Sequence, residues 1–392
     1  MTCQNVASRS QMNAEDIIEV AKDRTGVREE HTDSFREGLG VVAELVNADP
    51  AFEACERRII AECTRSLMSR LRIDDWFARH PDIGEIPVER PVFVIGMPRT
   101  GTTILVNLIA LDLELCRVIW HWEIDEPTPP VGRHHLRDDP RIAAKVAKMA
   151  PLVERLTYLP RMEQATDPVE CVHTLAQDFK SITWQTSTGS SAYNDWLLDK
   201  ADLGSAYEHH RRTLQVLQSG GASGQWVLKL PSHALHLEAL IATYPDARLV
   251  ITHRDPLPAF VSMCSYAMMV HQANGNAVDL PDVVEVTRRQ VFESAMRPIS
   301  FLDNHPEVPC HHVYQHELAA DPIAQVAELR AWVGLPQDER LESSMREYLA
   351  TEWSHPPGSH RYTASDFGIT PSEVHESFAP YINRFSVPLE SK

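Results

Sequence analysis

Pro91-Val92-Phe93-Val94-Ile95-Gly96-Met97-Pro98-Arg99-Thr100-Gly101-Thr102-Thr103-Ile104-Leu105 is the stretch on which the reading of this chain turns. Its first half is apolar and β-branched, the pattern of a strand buried on both faces. Two glycines then enclose Met97-Pro98-Arg99-Thr100. Past Gly101 the period changes, and Ile104, Leu105, Leu108, Ile109 and Leu111 fall along one side of a helix. Strand, glycine turn and helix, in that order, aim backbone N–H groups at a helix N-terminus, where an anion is held. Arg99 adds a fixed positive charge. Thr100, Thr102 and Thr103 add hydroxyl donors. The stretch predicts a phosphate or sulfate site.

Around it, strands alternate with helices. Strands are predicted at Val92–Gly96, Trp226–Leu230, Ala247–His253 and Pro309–Tyr314. Helices are predicted at Thr102–Leu111, Arg141–Leu156, Pro168–Phe179, Asp195–Leu217, Leu235–Tyr244, Pro256–Met269 and Asp282–Asn304. Such alternation argues for an α/β fold with a parallel sheet flanked by helices on both faces, a three-layer sandwich of the P-loop type. Ligands then lie at the carboxyl ends of the strands, where the Gly96–Gly101 turn falls. Residues 1–88 read as an N-terminal helical cap, with helix starts at Asn13-Ala14-Glu15-Asp16 and Asp33-Ser34-Phe35 and a stop at His80-Pro81. Residues 89–320 form the core. Residues 321–392 form a C-terminal extension of helices and loops, with helices at Pro322–Val333 and Leu341–Ala350, that completes the site.

Composition narrows the partners. The chain has 392 residues, 43% of them hydrophobic, and 55 acidic against 37 basic side chains, a net charge of −18. So acidic a protein is not expected to bind nucleic acid over a broad surface. An anionic ligand must instead be held by a local cluster of cations and N–H groups. Seven scattered cysteines without a C-x-x-C pair read as reduced thiols. No apolar run is long enough to span a membrane, and the polar start lacks a signal-peptide core. The expectation is a cytoplasmic, soluble protein, with translation starting at Met1 or Met12. The 19 histidines show neither H-E-x-x-H nor a zinc spacing, so no metal is expected.

The general phosphate loop reads G-x-x-x-x-G-K-[ST]. Gly96, Gly101 and Thr103 fit it, but Thr102 stands at the lysine position. The cation that reaches the end of a triphosphate is missing, which weakens the competing reading of a nucleotide-dependent kinase or NTPase. That reading also needs an acidic magnesium ligand at a strand end, and Asp255 is the nearest candidate.

Arg99-Thr100-Gly101-Thr102-Thr103 after a hydrophobic strand resembles the 5′-phosphosulfate loop of sulfotransferases that use 3′-phosphoadenosine 5′-phosphosulfate (PAPS). Their second signature is an Arg at a strand end with a Ser eight residues later, both on the 3′-phosphate. Here Arg254 ends Arg248-Leu249-Val250-Ile251-Thr252-His253, and Ser262 follows at that distance. Leu228-Lys229-Leu230-Pro231-Ser232-His233 and Gly358-Ser359-His360-Arg361-Tyr362, followed by Asp366-Phe367-Gly368, resemble one bacterial branch that includes relatives of tyrosylprotein sulfotransferase.

The resemblance implies transfer of a sulfonate from PAPS to an acceptor hydroxyl. It assigns Arg99, Thr100, Gly101, Thr102, Thr103, Arg254 and Ser262 to the donor. Lys229 at the sheet edge and Arg361 in a late basic loop join them, although the family's usual Lys-Gly-x-x-Gly is absent. Arg99 doubles as a catalytic cation on the transferring group. The branch's general base is a Glu shortly after the first helix, which implies Glu123 here; His121, Glu170 and His173 are the other candidates. The acceptor is expected to be a hydrophobic small molecule or lipid, with Tyr158, Met162, Phe179, Trp184, Trp196 and Met263 available to line its pocket.

Overall fold

The run Val92–Gly96 forms a strand, β1, buried at every position. Its neighbours are β2 (Cys116–Arg117), β3 (Gln225–Lys229), β4 (Arg248–His253) and β5 (Cys310–Tyr314). The structure, a computed structural model, describes residues 11–155, 164–351, 353 and 362–390. The five strands make one parallel sheet in the order β2-β3-β1-β4-β5. Val94 pairs with Lys229 on one side of β1, and Gly96 with Thr252 on the other. Three strand ends and the glycine turn therefore share one edge.

Alternation along β1 sorts its side chains between two cores. Phe93 and Ile95 join Leu228, Leu249 and Ile251 in a cluster that includes Ile18, Phe35, Leu39, Ile59, Leu67 and Leu71 of the N-terminal helices Ala14–Thr25, Phe35–Ala48 and Glu56–Arg79. Val92 and Val94 face the other way. They pack with Val227, Val250 and Val313 against Leu105 and Leu108 of the helix Thr102–Ile109 and Leu318, Val326 and Leu329 further on. The N-terminal helices thus share their core with one face of the sheet. The six described cysteines are free thiols, five of them buried.

The expected strands and most helices are present, and the departures have local causes. The stretch read as one helix over 195–217 is two, Ser191–Asp199 and Gly204–Ser219, with Asp202 accepting from the N–H of Gly204 at 2.9 Å between them. The helix expected at 168–179 shrinks to Val172–Ala176. Its first residues serve the sheet edge instead: Pro168 bridges to Trp120, and the Cys171 N–H donates to the carbonyl of Lys229. The helix Ile182–Thr188, capped by Ser181, was not expected.

Polar groups also tie the N-terminal helices to the core. Arg70, buried, meets Asp178 at 2.7 Å and Asp74 at 3.3 Å, and donates to Thr32 and Ser34. Burial works against the Asp74 carboxylate, but His209, Arg70 and Thr32 outweigh it and bring its pKa down to about 2. A carboxyl depressed from 3.8 in this way stabilises the fold fully above its unfolded value and loses that contribution as the pH falls towards 2. Denaturant unfolding of the wild type and Asp74→Asn at pH 5 and pH 2 should show about 2 kcal/mol more acid-induced loss in the wild type. Equal losses in the two proteins would contradict the role given to Asp74.

Candidate active site

β1 opens directly into the anion loop. Gly96 has φ 132°, and a Cβ there would lie 2.6 Å from the carbonyl oxygen of Thr252 on β4. Only glycine permits that approach. Arg99 and Gly101 follow at φ 66° and 95°, so the loop bends through left-handed positions that turn its N–H groups inwards. A left-handed arginine is uncommon, and here it sits at the centre of the turn. Gly101 stands at the N-terminus of the helix Thr102–Ile109, whose first turn has no side-chain cap. Its N–H groups remain available to an anion.

Thr100 is fully buried. Its hydroxyl donates to the Met97 carbonyl at 2.8 Å and lies 2.6 Å from the Thr252 hydroxyl, which donates to Ile95. Its side chain is therefore a clamp between loop and β4, and only its N–H is left for a ligand. That corrects the expectation of a hydroxyl donor at this position.

Two clusters flank the loop. At one end, Lys229 closes β3 and is 1% exposed. Its ammonium donates to the Thr103 hydroxyl at 3.2 Å and lies 3.5 Å from Glu170. A cation from the neighbouring strand thus stands beside Thr103, next to the position where the loop lysine is missing. Glu170 is held there by the bond from Cys171 to Lys229 and by the N–H of Val169 on the carbonyl of Ile119. Stacked beyond it are His121 and His173, ring centres 5.8 Å apart. Burial lowers the pKa of His121 to about 3 and of His173 to about 4, which makes both weak bases.

At the other end, Arg99 donates from Nε to the Ser262 hydroxyl at 3.1 Å, and Tyr362 donates to the same oxygen at 2.8 Å. Arg254, just past β4, donates to the Arg99 carbonyl at 3.0 Å and pairs with Glu390 at 2.7 Å. Arg99, Arg254 and Ser262, read as parts of separate motifs, are brought into one group. Ser262 lies on the helix Pro256–Asn274, capped by Asp255, which accepts from Leu257. The other Asp255 contacts are His375 and the N–H of Glu390. The acid that a magnesium site required is thus committed to holding the fold. The sequence reading brought this late loop to the donor through Arg361 but gave Tyr362 itself no role. Arg361 lies outside the described residues.

Glu123 is not among these groups. It is 2% exposed and pairs with Arg117 through both carboxylate oxygens, at 2.5 and 3.0 Å. One of those oxygens also accepts from the Trp120 N–H. Arg117 donates in turn to Ala222, ahead of β3, and stacks on Trp226. Both carboxylate oxygens of the expected general base are thus engaged by Arg117. Phe179 and Trp184 are likewise buried and stacked on each other, 4.9 Å apart, so they are core and not pocket lining. Tyr158 and Met162 lie outside the described residues.

A family model described as the Sulfotransferase family matches residues 91–339. The chain belongs to the sulfotransferase family. Sulfotransferase STF9 from Mycobacterium avium superposes with a TM-score of 0.89 at 33% identity, over 98% of this chain and 99% of that one. STF1 from Mycobacterium tuberculosis superposes at 0.82 with 26% identity, over 94% and 99%. The sequence is also 23% identical over 314 residues, 75% of this chain and 74% of the relative, to the omega-hydroxy-beta-dihydromenaquinone-9 sulfotransferase Stf3 of Mycobacterium bovis and Mycobacterium tuberculosis. The protein is accordingly a sulfotransferase that takes a sulfonate donor. No described helix is long and apolar enough to cross a membrane.

Breaking a buried ion pair by removing one partner costs roughly 3–5 kcal/mol. Glu123→Ala should therefore lower stability by about that amount in denaturant titration. A Glu123→Ala chain as stable as the wild type would contradict the structural role assigned to this carboxylate.

Proposed function

We propose that this sulfotransferase moves the sulfonate of PAPS to a hydroxyl on a hydrophobic small molecule or lipid, with Glu170 as general base. The observation that carries the reading is the pair of cationic groups at the two ends of one anion loop. PAPS has one phosphate next to its sulfonate and a second at the 3′ position, and it needs such a divided site. Lys229, Thr102, Thr103 and the N–H groups from Arg99 to Thr103 suit the sulfonate end. Arg254, Ser262 and Arg99 suit the 3′-phosphate, with Arg361 assigned by resemblance alone.

The chemistry then follows from position. Glu170 accepts the acceptor's hydroxyl proton as that oxygen bonds to sulfur. The bond between sulfur and the bridging oxygen breaks, and adenosine 3′,5′-bisphosphate leaves with the negative charge. Lys229 lies beside the loop hydroxyl and is suited to stabilise that charge as it grows. Being buried, it acts in a medium where one charge is worth more than in water. Glu170 is preferred over Glu123 because both oxygens of Glu123 are engaged by Arg117. It is preferred over His121 and His173 because burial has weakened them as bases. The relative named for a menaquinone-type acceptor supports a lipid-like one here.

Incubation with labelled PAPS and a cell lipid extract should yield a lipid heavier by one SO₃. Glu170→Gln should lower that transfer by about 10²–10⁴-fold, the usual worth of a general base, while binding of adenosine 3′,5′-bisphosphate is kept. Activity of Glu170→Gln near the wild-type value would overturn the base assignment. Absence of any sulfonated product from varied extracts would count against the acceptor class.

A further inference from the structure

Arg254 already holds an anion. Its Nε and Nη2 face the Glu390 carboxylate at 2.7 and 3.3 Å, the two-pronged pairing that a guanidinium also offers to a phosphate. Its remaining Nη1 donates to the carbonyl of Arg99. The guanidinium is thereby satisfied by the chain itself. The segment that carries Glu390 is docked without help from its side chain. Val387 is buried, and its N–H donates to Ile382 at 3.0 Å. The N–H of Glu390 donates to Asp255 at 2.8 Å. The same Asp255 caps the helix that presents Ser262. The tail is thus pinned to the start of that helix, one residue from Arg254, and delivers a carboxylate to it.

We propose that Glu390 is an internal competitor for the nucleotide 3′-phosphate at Arg254, displaced when the donor binds and returning when the spent nucleotide leaves. The proposal rests on the reading of Arg254 as the 3′-phosphate residue. The donor and the adenosine 3′,5′-bisphosphate product carry the same 3′-phosphate, so the competition loosens both. A tightly held bisphosphate would slow turnover, since product release limits many enzymes. An on-board carboxylate gives Arg254 a partner to return to, so that the phosphate leaves no unpaired charge behind.

Calorimetric titration with adenosine 3′,5′-bisphosphate, and with adenosine 5′-phosphate as the control without a 3′-phosphate, tests this. Glu390→Gln keeps the backbone contact to Asp255 and removes only the charge. It should bind the bisphosphate about fivefold tighter than the wild type, the gain expected when a surface ion pair no longer occupies the site. Its affinity for adenosine 5′-phosphate should be unchanged. Arg254→Ala should weaken the bisphosphate, and adding Glu390→Gln to it should then change nothing. Bisphosphate affinity in Glu390→Gln equal to or below wild type, with Arg254→Ala still weakened, would overturn the competition while leaving the phosphate site in place. Unchanged bisphosphate affinity in Arg254→Ala would remove the phosphate reading of Arg254, and this proposal with it.

Discussion

The site depends on β1 lying between β3 and β4 in parallel register. Pairing of Val94 with Lys229 and of Gly96 with Thr252 sets the height of everything that follows. Lys229 ends β3 beside Val94, two residues before Gly96, and Arg254 follows two residues past Thr252, so the two cations flank the loop at different heights. The close approach of Gly96 to the Thr252 carbonyl, and the bond between Thr100 and Thr252, fix the loop against β4. A shift of one residue in either pairing would turn Lys229 or Thr252 to the opposite face and dismantle the arrangement. The two apolar cores hold that register from both faces of the sheet.

Electrostatics then acts locally against the global charge. The chain carries a net −18, which repels anions at long range. Within the site, cations and N–H groups are gathered where solvent screens them little. Two of the cations are also balanced by an acid nearby, Lys229 by Glu170 and Arg254 by Glu390. Such pairing keeps buried or half-buried cations from costing the fold too much before a ligand arrives. The same pairing puts a carboxylate within reach of the reacting end, which makes Glu170 both a counter-ion and a base in this account.

Much of this was legible in the sequence because it rests on short-range pattern. The apolar run, the spaced glycines and the following helix encode β1, the loop and Thr102–Ile109 within eighteen residues. Arg254 and Ser262 were named through the family resemblance, and the structure brings both to Arg99. What escaped depends on contacts between distant segments. The Thr100 hydroxyl meets Thr252, 152 positions away, so nothing local reveals that it is committed. β2 spans only Cys116–Arg117, too short for an alternating pattern, yet it decides where Arg117 lies and hence that Glu123 is buried with it. Glu170 sits where a helix was expected, because sheet-edge bonds at Pro168 and Cys171 override the helical period. The return of Glu390 to Arg254 likewise had no sequence signal.

The central claim is that the cation missing from the loop at Thr102 is supplied by Lys229 from β3. Single-turnover transfer of labelled sulfonate in Lys229→Met tests it most directly, with circular dichroism as the control for an intact fold. Transfer itself should slow by about 10²–10³-fold, the loss typical of one group that stabilises developing charge. A transfer rate within a few-fold of the wild type would contradict the account.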